Sequence, residues 1–139
     1  MVSLATTLTF RHSHHYGAQR ASGIAIPVKL TVGGKSVRLL AKLDTGAEYC
    51  IFERVYGEQL GLNIEGGRPT LFRTANGEFQ AFGHEVTITC FEWQFDSVVF
   101  FPATIEIGRN VLGRQGWLQK FRVALIDYDS VLHLSHYNE

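Results

Sequence analysis

Residues 24–43 alternate apolar and polar side chains across a glycine turn, IAIPVKLTV then GGK then SVRLLAKL, and this pattern constrains the fold more than any other. An alternation of period two places successive side chains on opposite faces of a strand, so the segment reads as a hairpin. It runs without a break into Asp44-Thr45-Gly46-Ala47, after which the apolar pattern resumes in YCIF. A second hairpin is expected in TLFRTANGEFQAFGHEVTITCFEWQF, with Asn76-Gly77 as its turn, because a type I′ turn needs two successive residues at positive φ. DSVVFFPATI is a further strand, and RVALIDYDSVLHLS closes with strands. ERVYGEQLGLNI supports at most a short helical turn closed by Gly61, whereas RNVLGRQGWLQKF is expected to hold a helix that starts near Asn110. The architecture is all-β, a small closed or sandwich-like domain with one short helix near the C-terminus.

A chain of 139 residues accommodates one domain with a sizeable core. The expected division is an N-terminal extension over 1–23, a folded domain over 24–129 and a C-terminal tail over 130–139. No repeat or low-complexity linker divides it further. Thirteen basic residues balance thirteen acidic ones, which gives no overall field to attract a polyanion. No window approaches the roughly eighteen apolar residues of a membrane span, and the N-terminus lacks the basic start and long apolar stretch of a leader. Neither nucleic acid nor membrane is expected as a partner, and the expected location is cytoplasmic. Cys50 and Cys90 lie in apolar strand contexts and are read as reduced core residues rather than a disulfide. His12, His14 and His15 have no acid or thiol at close spacing, so no metal or other cofactor is expected.

Asp44 stands where a strand ends, a place from which a scaffold presents a side chain rigidly. The simplest account is an Asx turn in which the carboxylate caps its own backbone. The alternative is chemical: flanked by Leu43 and the run through Ile51, the carboxylate would be partly desolvated, a setting suited to proton transfer. A second segment near the C-terminus, Ile107-Gly108-Arg109-Asn110-Val111-Leu112, is a strand end followed by a turn.

The two motifs in this order, with the hairpin TANGEFQAFGHEVTI between them, resemble the retroviral-type aspartic proteases, the retropepsins. The resemblance covers roughly residues 24–129. It implies a closed acid-protease barrel with a flap hairpin and one short C-terminal helix, assembled as a symmetric homodimer. It further implies an endopeptidase acting on extended peptide or protein substrates with apolar side chains near the cut. Asp44, Thr45 and Gly46 would form the catalytic turn, with Thr45 hydrogen-bonding across the dimer axis and Gly46 permitting close backbone approach. Because the chain holds a single Asp-Thr-Gly, the two carboxylates that divide proton donation and abstraction would come from Asp44 of two subunits.

By the same resemblance, Ala47, Glu48, Ala75, Asn76, Gly77, Ile105 and Glu106 would contact substrate, together with Phe79, Phe101 and Pro102. Gly108, Arg109 and Asn110 would support the site. Glu48 and Arg109 would form an ion pair bracing the active-site turn. The sequence departs from the family in the missing Gly-rich hairpin tip, in Glu106 where an apolar residue is usual, and in residues 1–23. A different class of function on the same fold is a dimer that binds a peptide or protein partner without cutting it.

Overall fold

The computed structural model describes residues 4–18 and 22–139. Residues 1–3 and 19–21 of the expected extension lie outside the described residues. The strands are β1 (His12–His15), β2 (Ala25–Val32), β3 (Lys35–Leu43), β4 (Arg68–Thr74), β5 (Gly77–Cys90), β6 (Trp93–Pro102), β7 (Val111–Leu112), β8 (Phe121–Ile126) and β9 (Val131–His136). One α-helix, α1, spans Arg54–Gln59. Among the described residues no helix is long and apolar enough to cross a membrane.

The alternation of residues 24–43 becomes the antiparallel pair β2–β3, in register from Ala25↔Lys42 to Val32↔Lys35. Ile26, Val28, Leu30, Val37 and Ala41 point into the core, while Lys35, Arg38 and Lys42 face outward. Gly33, at φ +58°, turns the hairpin in a conformation that a Cβ would strain. The larger sheet has the order β4-β5-β2-β3-β7, with β6 on the other side of β5. The 14-residue β5 joins its parts, pairing with β4 near its start, with β2 near its end and with β6 along most of its length.

β7 lies parallel to β3, with Lys42 opposite Val111 and Leu43 opposite Leu112. The chain leaving Asp44 returns between β7 and β6, where Ile51 bridges both Val111 and Phe100. The two Asp44 flanks are thus held by strands that are distant in sequence.

The first hairpin has the expected form, but other local expectations are overturned. The helix expected from Asn110, near the C-terminus, is absent. Val111 and Leu112 extend the sheet instead, and the helical turns that follow, Leu118–Lys120 and Asp127–Asp129, are 3-10. Gly113 packs so closely on the backbone of residues 47–49 that the segment must stay extended. The helix forms at Arg54–Gln59, where Gly57 lowers helix propensity but is required by packing: an added Cβ would sit 2.5 Å from Ile64 Cδ1.

The second hairpin turns one residue early. Thr74 pairs with Gly77, so Ala75 and Asn76 form the loop, and only Gly77 takes positive φ, at +125°. The Thr74 hydroxyl decides this, accepting from Asn76 N at 3.3 Å and donating to Gly77 O at 3.0 Å.

The expected extension and tail pair with one another. A second sheet, ordered β1-β9-β8, carries Leu132 and Leu134 fully buried into the same apolar core as Ile26, Leu30 and Ile88. Residues 131–136 are therefore core rather than tail. His14 is buried, its Nε2 2.8 Å from Ala25 O, and it packs on Phe91, as does His12. Cys50 and Cys90 are free and buried, as expected.

Candidate active site

Asp44 follows β3 directly, one residue beyond the parallel pairing with β7, and its N–H donates to Leu112 O at 3.0 Å. The chain then turns tightly. Ala47 N donates to Asp44 O at 3.1 Å, and Gly46 N donates to Asp44 Oδ1 at 2.9 Å. This is the Asx turn that the simplest account of the residue requires. It also fixes the carboxylate, because a backbone donor holds one oxygen. Asp44, Thr45 and Gly46 are exposed in the single chain, so the expected partial desolvation of Asp44 is not supplied by its own subunit.

A ladder to the C-terminal segment braces the residues that follow. Arg114 N donates to Ala47 O at 2.8 Å and Gln115 N to Glu48 O at 2.7 Å. Gln115 Nε2 also donates to Glu48 Oε1 at 3.1 Å. Gly113 N lies 3.4 Å from Cys50 Sγ, and burial pushes the Cys50 thiol up to about 12.

The expected ion pair between Glu48 and Arg109 does not form; none of the ion pairs among the described residues joins them. Glu48 is drawn to Gln115, and Arg109 stands at the mouth of a cleft. The bracing role falls to Asn110. Its Oδ1 accepts from Glu53 N at 3.0 Å, its Nδ2 donates to Glu53 Oε2 at 2.7 Å, and its carbonyl accepts from Lys42 N at 2.9 Å.

Between the Asp44 turn and the β4–β5 hairpin lies a cleft of about 560 Å³. Asp44, Gly46, Ala47, Glu48, Ala75 and Arg109 border it. A neighbouring cleft of about 320 Å³ around the hairpin tip shares Ala75 and Arg109 and adds Asn76, Gly77, Glu106 and Gly108. The structure therefore brings most of the expected residues to one surface. Ile105 borders neither cleft and is 72% exposed. Phe101 and Pro102 are fully buried and cannot form substrate walls; Phe101 packs on Phe52 and α1 instead.

The apolar walls come from residues that the sequence did not single out. Tyr49, Ile51, Leu71 and Phe72 border the main cleft. Tyr49 and Phe72 pack against Phe100 with ring centroids 5.0 and 5.3 Å apart, and Phe72 stacks on Phe79 at 5.4 Å. The signal for this floor was present, since Phe72 and Phe79 flank the hairpin turn symmetrically, as cross-strand aromatic pairs do.

The family model described as Aspartyl protease matches residues 28–115, more than half of the chain. No curated protein matches the sequence. Among solved structures, a retropepsin-like aspartic protease from Rickettsia conorii superposes with a TM-score of 0.59 at 20% identity, covering 80% of this chain and 89% of that one. EIAV protease complexed with the inhibitor HBY-793 superposes with a TM-score of 0.53 at 20% identity, covering 69% of this chain and 86% of that one. The chain belongs to the aspartyl protease family and has a retropepsin-like fold.

Proposed function

We propose that the chain is an aspartic endopeptidase whose active site forms when two copies place their Asp44 carboxylates side by side on a two-fold axis. The observation that carries this is the Asp44 turn, which holds the carboxylate by Gly46 N while leaving it exposed at the edge of a peptide-sized cleft. A lone exposed carboxylate is a poor catalyst of amide hydrolysis, which needs one group to accept a proton from water and another to donate to the carbonyl oxygen. Two carboxylates a hydrogen bond apart share one proton and divide these roles. The exposed Thr45 hydroxyl is free to bond across the axis, and a partner subunit would supply the desolvation that the single chain lacks.

Substrate would lie extended between the turn and the β4–β5 hairpin, which acts as the flap. Strand-like pairing gives backbone affinity, and alternate side chains enter the pockets. Tyr49, Ile51, Leu71 and Phe72 would favour apolar side chains near the cut. Asn110 acts through Glu53 and Lys42 as a positioning residue.

The test is digestion of a diverse peptide pool by wild type and Asp44→Asn across about pH 4 to about pH 7, with the assembly state of each measured by sedimentation. Asp44→Asn keeps the side-chain shape but removes the shareable proton. The expected result is a dimer in both and a loss of hydrolysis of at least about 100-fold in the variant, the lower end for general acid–base catalysis. Equal digestion by the two would refute the dyad. A dimer of wild type that binds peptides without cutting them would replace the enzyme with a peptide-binding module.

A further inference from the structure

Four cations line one strip of surface that leads away from the cleft. The outward residues of β3 recur at every second position as Arg38, Leu40 and Lys42, and Lys29 of β2 stands directly opposite Arg38. Lys42 pairs in turn with Val111, two residues after Arg109. A groove of about 520 Å³ is bordered by Pro27, Lys29, Arg38, Leu40 and Phe91. A second, of about 390 Å³, shares Leu40 and adds Lys42 and Arg109. Arg109 also borders the cleft that contains Asp44. The strip thus leads from the candidate active site along the outer face of the β2–β3 pair.

None of the ion pairs among the described residues uses any of these four cations. Lys42 Nζ donates to Ser22 Oγ, a neutral group. Lys29 and Arg38 form a like-charged cross-strand pair, an arrangement that weakens a sheet. The neighbour of Lys29 on its other side, Thr89, brings no compensating charge. The chain as a whole has no net charge, so this concentration is local. An anion laid along the strip would relieve the repulsion.

We propose that the strip binds an extended acidic segment of a protein partner. Side chains on one face of a strand recur about every 6.8 Å, so a peptide reading acid-x-apolar-x-acid matches Arg38, Leu40 and Lys42 in step. Leu40 is 41% exposed and stands opposite Pro27, giving an apolar spot between the cations. That spot selects an amphipathic peptide over a phosphate backbone, which has no apolar side chain to place there. The strip makes contacts beyond the scissile region if the partner is the substrate, a consequence that rests on the proposed protease activity; the binding itself does not.

The experiment uses the full chain with Asp44→Asn, so that no peptide is consumed. A fluorescent ten-residue peptide containing Glu-x-Leu-x-Glu is compared with its Gln-x-Leu-x-Gln analogue by anisotropy. The acidic peptide is expected to bind about 10-fold tighter at low salt, as two surface ion pairs each contribute a factor of about 3. The difference should shrink toward unity at about 0.5 M salt. Arg38→Glu with Lys42→Glu should abolish the preference, whereas Lys29→Gln with Arg38→Gln, a pair that removes the like-charge repulsion and so keeps the sheet folded, should reduce it to the factor of about 3 that Lys42 alone contributes. Equal affinity for the two peptides, a preference that survives the first double variant or is undiminished in the second, or tighter binding of a single-stranded oligonucleotide of the same length would overturn the proposal. If wild type cleaves nothing while the acidic preference holds, only the protease reading fails.

Discussion

Gly113→Ala adds one methyl group where the structure has no room for it. The new Cβ would lie 2.3 Å from Tyr49 O, 2.6 Å from Tyr49 C and 2.8 Å from Ala47 O. These neighbours are backbone atoms of the segment that follows Asp44, so no rotamer change relieves the contact. Restoring ordinary contact distances moves that segment by about 1 Å, since packed interiors do not deform freely. The movement opposes the bonds from Arg114 N to Ala47 O and from Gln115 N to Glu48 O. Two hydrogen bonds at about 1 kcal/mol each, plus overpacking of about 1–3 kcal/mol, give a loss of roughly 3–5 kcal/mol. For a chain of this size that lowers Tm by about 9–15 °C.

The assay is thermal and urea unfolding of Gly113→Ala beside Gly34→Ala, whose added Cβ meets nothing within 4 Å. Gly34→Ala should be neutral or slightly stabilising. The turn that carries Asp44 is displaced in the first variant, so a folded Gly113→Ala at low temperature should also lose about 100-fold in hydrolysis. If Gly113→Ala stays within about 0.5 kcal/mol of wild type, the Asp44 turn does not depend on the backbone contact with residues 113–115.

Asn110→Ala leaves Glu53 N without its partner, so urea unfolding should show a loss of about 1–3 kcal/mol, and Asn110→Asp, which keeps the acceptor but sets a second carboxylate against Glu53 Oε2, should not restore it at neutral pH. Leu132→Ala opens a cavity in the core and should cost about 2–5 kcal/mol, whereas a residue in a free tail would cost nothing measurable. Burial pushes the thiols of Cys50 and Cys90 up from 9.0 to about 12. Their folded-state values lie above the unfolded ones, so their contribution is complete below pH 9.0 and is lost as the pH rises toward about 12. A urea midpoint series should fall across that window, and at neutral pH a thiol reagent should label neither cysteine until the protein unfolds. Tyr16 donates its hydroxyl to Asp127, and this bond, with burial and the nearby charge, raises it from 10.0 to about 12. Absorbance titration should show a late step for Tyr16 that Tyr16→Phe removes.

Local pattern determined a good deal of this protein. The alternation of residues 24–43 specified the β2–β3 hairpin and its register, because a slip by one residue would have turned Ile26, Val28 and Leu30 to solvent. Asp-Thr-Gly at a strand end, followed by the hairpin and the Gly-Arg-Asn segment, indicated the fold, and it placed Asp44, Ala47, Glu48, Ala75 and Arg109 around one cleft.

What remained hidden depended on contacts between residues far apart in the chain. Val111 and Leu112 suit a helix or a strand equally well, and only pairing with β3 decided for the strand. Gly57 weakens a helix locally, yet the packing of Ile64 and Phe101 requires a glycine there. Phe101 and Pro102 look like surface walls beside a motif but fill the core, while Tyr49 and Phe72 reach the cleft because Phe100 supports them from beneath. Glu48 found Gln115 before Arg109, a choice between two polar partners that spacing alone cannot make. The sequence set residues 1–23 and 130–139 apart as an extension and a tail, and only the pairing of β1 with β9 joins them to the fold. The reason is common to all of these: a strand carries only half of its hydrogen bonds and one buried face, and its partner supplies the rest.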